Sequence, residues 1–128
     1  MPDVVVVKAT SNGVSAGTAT AYSPVLTGFI EYIRYDKPAS LGFDSNPDFA
    51  ITLETSGIGV WSEDNVDADT IRYPRCPLHS QLGVAVSYAN TYPIYGKIPV
   101  CQERVQIVVT NAGDATKYGT FYIAISQD

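Results

Sequence analysis

Short runs of alternating apolar and polar residues fill this chain, separated by turn-forming residues about every 8–12 positions. The pattern is sharpest towards the C-terminus. There Val105, Ile107 and Val109 alternate with Arg104, Gln106 and Val108, and Phe121, Ile123 and Ile125 alternate with Tyr122 and Ala124. Asn111-Ala112-Gly113-Asp114 lies between the two runs, so Ile98 to Ser126 reads as a β-hairpin. Each of its strands has one strongly apolar face. A lone hairpin cannot bury both, and the rest of the chain must supply a second layer.

The earlier segments fit that role. Val4 to Lys8 reads as a first strand, Asn12-Gly13 as a tight turn, and Val14 to Tyr22 as extended chain before Ser23-Pro24. Val25 to Asp36 reads as a long strand, with Phe29, Ile33 and Tyr35 on one face and Ile30, Tyr32 and Arg34 on the other. Asp48 to Glu54 alternates cleanly, with Phe49, Ile51 and Leu53 pointing inward. Ile58 to Trp61 and Thr70 to Tyr73 are short strands on either side of an acidic loop. Pro74 and Pro77 break the chain, Leu82 to Tyr88 is a weaker strand, and Asn90 to Lys97 is a Pro- and Tyr-rich loop. Nowhere does a helical apolar stripe persist over three turns. The expectation is one all-β domain over residues 1–128, an antiparallel β-sandwich of jelly-roll-like form. Residues 1–24 form its N-terminal strand or arm, a candidate for swapping or docking on a neighbour.

Composition narrows the function classes. Hydrophobic residues make up 45% of the chain and charged residues only 16%, so Thr, Ser, Asn, Gln and the nine Tyr must cover much of the surface. Tyr joins an apolar ring to a hydrogen-bonding tip and is enriched at interfaces, although it is also a good strand residue. The net charge is −5, and the cations stand singly. A protein that neutralises phosphates needs a basic stripe, so no nucleic-acid partner is expected. No apolar run reaches the ~20 residues of a membrane span, and the opening residues carry Asp3 where a signal peptide would be positive. Synthesis in a cytosol is the expectation. Cys76 and Cys101 are too few for a disulfide framework. Paired, they would close a loop of about 25 residues and could add about 3 kcal/mol, which makes them a candidate disulfide for a protein that leaves the cell and free thiols otherwise.

Candidate chemistry is thin. Gly13-Val14-Ser15-Ala16-Gly17 matches the nucleophile elbow of serine hydrolases, but extended chain follows where a helix is required, and His79 is the only histidine. Asn65, Asp67 and Asp69, with Glu63 and Asp64 beside them, lack the Gly and Glu of a calcium loop: Thr70 and Cys76 stand at those positions. His79 and the two cysteines have no zinc-ligand spacing. Glu31, Glu54 and Glu103 lie on strands, as outward-facing residues would, so a glycosidase pair has only weak support. No catalytic residue, metal or cofactor is expected, and binding or assembly is left.

Asp48-Phe49-Ala50-Ile51-Thr52-Leu53-Glu54-Thr55-Ser56-Gly57-Ile58, after the strand Gly28-Phe29-Ile30-Glu31-Tyr32-Ile33, resembles a run found in small structural proteins of tailed bacteriophages. Tyr73-Pro74-Arg75, Ile98 to Val105, and Asn111-Ala112-Gly113 with Gly119-Thr120-Phe121 are similar to that group too. The similarity spans roughly Leu26 to Ile125, in fragments that are each a strand or a turn. Cys76, Cys101 and the loop from Asn90 to Tyr95 depart from the group's pattern. The resemblance implies a virion component made in a bacterial cytoplasm. Its implied role is a capsid decoration protein, a β-sandwich or jelly roll seated as a homotrimer on the major capsid protein. A neck, tail or head-fibre component is the structural alternative, and a lectin-like sandwich using Tyr and Trp61 is another. The interface candidates are Val4, Val5, Val6 and Val7, a run that would be an aggregation hazard as a bare edge, together with Trp61, Tyr92 and Tyr95.

Overall fold

The computed structural model describes residues 3–14, 17–44, 46–85, 87–88 and 92–127, and for residues 88, 92 and 93 the backbone alone. Twelve strands follow one another without a helix among these residues: β1 (Asp3–Thr10), β2 (Thr18–Tyr22), β3 (Leu26–Asp36), β4 (Asp48–Leu53), β5 (Gly59–Glu63), β6 (Thr70–Arg72), β7 (Arg75–Pro77), β8 (Ser87–Tyr88), β9 (Tyr92–Pro93), β10 (Tyr95–Glu103), β11 (Val105–Thr110) and β12 (Tyr118–Ser126). One sheet runs β1-β12-β3-β10-β7, with β6 also on β3. The other runs β2-β11-β4-β5, and β8 and β9 pair apart from both. All pairings are antiparallel.

The pairing is nested. The first strand joins the last, β2 joins β11, β3 joins β10, and β4 joins β5. A long antiparallel ribbon rolled on itself gives that order, and it makes the fold a jelly-roll sandwich. β1 pairs with β12 and β2 with β11 of the same chain, so these two strands form part of its own sandwich.

The C-terminal stretch differs from the expected hairpin. β11 lies in one sheet and β12 in the other, so their apolar faces meet across the core instead of side by side. Asn111 (φ 57°) and Gly113 (φ 97°) take left-handed conformations that turn the connection from one layer to the other. The run Ile98 to Thr110 is likewise divided between the layers. A bulge at Gln102 (φ 51°) ends β10. Ser23 then exchanges backbone and Oγ hydrogen bonds with Val105 and fastens the start of β11.

β3 also departs from strict alternation. Ala124 faces Tyr32 while Ile125 faces Ile30, which leaves Glu31 as an extra residue on β3. The bulge shifts the side-chain phase by one. Ile30 therefore joins Ile33 and Tyr35 in the core, and Phe29, expected beside them, is only half-buried. Glu31 accepts a hydrogen bond from Ser126 Oγ at 2.8 Å and pairs with Lys97, and its carbonyl accepts from Arg75 at 3.1 Å.

The centre of the sandwich is aromatic. Phe49 of β4 meets Tyr35 of β3 at 4.8 Å between ring centroids, and Trp61 of β5 and Phe121 of β12 at 5.2 Å each. The Tyr35 hydroxyl is buried with no hydrogen-bond partner among the described residues. Burial, with the negative charges of Asp67 and Asp69, raises its pKa well above the usual phenol value. A buried unpaired hydroxyl costs free energy. Tyr35→Phe is therefore expected to raise unfolding stability by about 1 kcal/mol in urea titration, and a loss of stability would mean that the hydroxyl is paired.

Candidate functional site

The strand register builds two rows across the outward face of the β1-β12-β3 sheet. Val6 faces Tyr122, Tyr122 faces Arg34, and Arg34 faces Ile71 of β6. One step along, Val4 faces Ala124 and Ala124 faces Tyr32, whose ring meets Tyr73 edge-on at 6.2 Å. Val4, Val6, Ile71 and Tyr73 are exposed. Arg34 lies 4.1 Å over the Tyr122 ring, and its Nη1 donates to both Asp36 carboxylate oxygens at 2.7 and 2.8 Å. Arg34, Asp36, Asp69, Thr70 and Ile71 line an open cleft of about 240 Å³ beside these rows. Tyrosine and arginine are enriched at interface centres, and the exposed valines beside them add apolar area.

Several charged groups on the two sheets are committed to one another. Lys37 pairs with Asp67 at 2.9 Å, and its backbone N–H donates to Asp69 at 2.7 Å. Arg72 grips Glu63 through two bonds, of 2.8 and 2.9 Å. Arg104 holds Glu54 in the same bidentate way and lies 4.2 Å over Tyr22. Glu103 accepts from the backbone N–H groups of Thr55 and Ser56 at 2.9 and 3.0 Å. Among the described residues no group of three or more His, Cys, Asp or Glu converges to hold a metal ion.

These bonds lower carboxyl pKa values. The Lys97 ammonium and the Ser126 hydroxyl hold Glu31 below the usual range, Arg104 does so for Glu54, Arg72 and the Trp61 indole N–H for Glu63, the Ser56 and Thr55 amides for Glu103, and Thr116 for Asp114. A glycosidase acid needs the opposite, a carboxyl whose pKa is raised. Lowered folded-state values also set a pH dependence. Their contribution is complete above the unfolded carboxyl pKa of about 4 and is lost as pH falls through the folded values. Thermal unfolding is expected to hold steady from pH 7 to about 5 and to weaken on further acidification. The weakening should be smaller in 1 M salt, which screens exposed pairs. Unchanged or greater stability at pH 3 would contradict these assignments.

The expected interface residues divide. Val4 and Val6 point outward, Val6 with 58% exposure, whereas Val5 and Val7 turn towards the core. Tyr95 is exposed, but on β10 at the other side of the sheet, so the structure does not bring it to the valines. The Tyr92 side chain lies outside the described residues. Trp61 is corrected to a core position. It is 6% exposed, packs on Phe49 and donates its indole N–H to Glu63 at 3.0 Å, so its ring has no free face for a sugar.

The candidate disulfide is corrected as well. Both cysteines are free; Cys76 faces Gly96 on β10, and Cys101 faces Thr27 farther along the same strand. Five residues of strand hold the two positions about 17 Å apart, against the ~4.4–6.8 Å between Cα atoms that a disulfide needs. Of the G-x-S-x-G segment, Gly13 and Gly17 sit in the β1–β2 connection, and Ser15 and Ala16 lie outside the described residues. His79 bridges Ala85 on an exposed loop.

Sequence reasoning missed the exposed apolar residues Leu78, Leu82, Val84 and Ile94. The available signal was charge. No Asp, Glu, Lys or Arg occurs from Cys76 to Gly96. Among the described residues no helix is long and apolar enough to cross a membrane. Compared with protein-family models, with curated proteins and with solved structures, the chain finds no match.

Proposed function

We propose that this chain is a non-enzymatic structural protein of a tailed-bacteriophage virion, which decorates the head as an oligomer and stabilises it by binding the lattice of the major capsid protein. The observation that carries the reading is the outward sheet face. Its rows of valine, tyrosine and paired arginine form a broad surface, and among the described residues no three His, Cys, Asp or Glu side chains converge on it. Such a surface suits adhesion. Buried between two partners, it would resist separation through removal of apolar area from water, at about 25 cal/mol per Å² before the costs of association. The resemblance of the Leu26 to Ile125 fragments to phage structural proteins points the same way, and so does a jelly-roll framework of two packed antiparallel sheets.

The test is co-sedimentation of the purified protein with heads that lack it. Saturable retention, with heads that resist heating better when coated, is the expected result. No retention at micromolar concentration would overturn the reading. Retention by isolated necks or tails, with none by heads, would move the protein to the alternative structural position.

A further inference from the structure

The turn that follows β1 carries chemistry that the outward sheet face does not use. Of the five Asn in the chain, Asn12 alone precedes Gly; the others precede Pro47, Val66, Thr91 and Ala112. The backbone nitrogen of the next residue can attack an Asn side chain, and a Cβ on that residue crowds the approach. Gly13 has no Cβ. Asn12 and Gly13 are both exposed, so water reaches them.

The fold engages each of the reacting groups elsewhere. The Gly13 N–H donates to Ser11 Oγ at 3.1 Å, and Ser11 Oγ in turn donates to Gly113 O at 2.7 Å in a buried bond. Asn12 Oδ1 accepts from the Val14 N–H at 2.9 Å and from the Thr18 N–H at 3.0 Å. The first of these is the Asx turn that Asn favours, and the second ties the side chain to the start of β2. The Asn12 N–H donates to Thr18 O at 2.9 Å and fixes the backbone before the reacting pair. For attack, the Gly13 nitrogen must give up the proton that Ser11 Oγ holds and turn towards the carboxamide carbon. The bonded corner opposes both movements.

We propose that Asn12 is a site of spontaneous modification that the β1–β2 corner keeps closed, so that each opening of the corner exposes it to irreversible conversion. In the open corner the Gly13 nitrogen loses its proton and bonds to Asn12 Cγ. The Cγ–Nδ2 bond breaks, and Nδ2 leaves as ammonia with that proton. Water then opens the five-membered imide. Opening at Cγ gives aspartate, and opening at the Asn12 backbone carbonyl gives isoaspartate. Either product adds one negative charge to a chain that carries −5. Aspartate keeps an oxygen to accept from the Val14 and Thr18 N–H groups. Isoaspartate lengthens the main chain by one atom directly after Ser11, whose pairing with Ala19 joins the two strands at the turn. A corner lengthened in that way cannot close in register. The turn is therefore a clock that records how often the N-terminal corner opens.

The full chain is held at mildly alkaline pH, either folded in buffer or unfolded in guanidinium chloride. Peptide mapping by mass spectrometry follows the conversion of each Asn. In the unfolded chain, Asn12 is expected to convert fastest of the five. In the folded chain its rate should fall by more than about tenfold, because reaction waits for local opening. Equal rates in the two states would overturn the proposal, as would faster conversion of another Asn in the unfolded chain. Ser11→Ala removes the acceptor of the Gly13 N–H. With a native circular dichroism spectrum, this variant should convert several-fold faster than the parent, and an unchanged rate would overturn the proposal. If Ser11→Ala does not fold, the two states of the parent chain decide alone. Chains carrying isoaspartate, isolated by ion exchange, should exchange the Val14 and Thr18 amide hydrogens faster than the parent. Equal exchange would show that the corner tolerates the product and is no clock. Retention on heads is read separately, so failure here and failure of the virion reading are distinguishable.

Discussion

Phe49→Ala is expected to destabilise the protein by about 3–5 kcal/mol, the range for removing a phenyl ring from a packed core. Phe49 is 1% exposed and belongs to the β2-β11-β4-β5 sheet. It meets Trp61 in its own sheet and, across the core, Tyr35 and Phe121 of the opposing sheet. Three aromatic contacts at 4.8–5.2 Å would be lost together. Each such contact adds about 0.5–1.5 kcal/mol beyond area burial. The surrounding rings belong to different strands in two layers, so they cannot easily collapse into the space left behind. Against a total of about 5–15 kcal/mol for a domain, the loss leaves little in reserve. Urea unfolding should show a lower midpoint with an unchanged slope. A loss below about 1 kcal/mol would mean that the two sheets are not joined through this ring.

Gly17→Ala is expected to cost about 3 kcal/mol or more, for a different reason. Gly17 has φ +82°, and a methyl group there would overlap the Gly113 carbonyl oxygen and stand 2.5 Å from Ser11 Oγ and 2.8 Å from Gly113 N. Two of those three atoms are backbone and cannot rotate away. The same corner holds the buried bond from Ser11 Oγ to Gly113 O at 2.7 Å and that from Ala112 N to Gly17 O at 3.1 Å. Displacing Gly113 would break both and separate the β1–β2 connection from the β11–β12 crossing. Gly57→Ala is the control. Gly57 also has positive φ, but open space surrounds it, so only the conformational cost of about 1 kcal/mol applies. Equal losses for the two variants would show that the corner is not tightly closed.

Where one local rule governs, the sequence foretells the structure. The period-two alternation of Phe49, Ile51 and Leu53 places all three inward because β4 lies within its sheet, between β11 and β5, and has one buried face. The sandwich class follows from the same rule applied to every segment. What the rule cannot express is which layer a strand joins. β11 and β12 each have one apolar face, as two strands of a hairpin would, and as two strands facing each other across a core also would. The bulge at Glu31 was only faintly marked. A single extra residue moved Ile30 inward and left Phe29 half-buried, and the nearby signal was the isolated Gly28 inside the strand.

The surface was less legible than the core. Val4 and Val6 were identifiable as interface candidates because a valine run is a recognisable hazard on an edge. Trp61 looked accessible because its local sequence does not reveal that its strand directs it towards Phe49. The disulfide candidate failed for a similar reason, since Cys76 on β7 is aligned with Gly96 of β10 while Cys101 stands five residues farther along β10. The outward rows of Val6, Tyr122, Arg34 and Ile71 come from four strands scattered through the chain, and only the register aligns them.

The claim that the protein works by attachment to a virion shell is tested most directly by locating it in particles. Purified virions of the encoding phage would be labelled with gold-tagged antibody raised against the full chain and imaged by electron microscopy. The account predicts label spaced over the head, with none on tails sheared from the particles. Particles that contain no copy of the protein would contradict it.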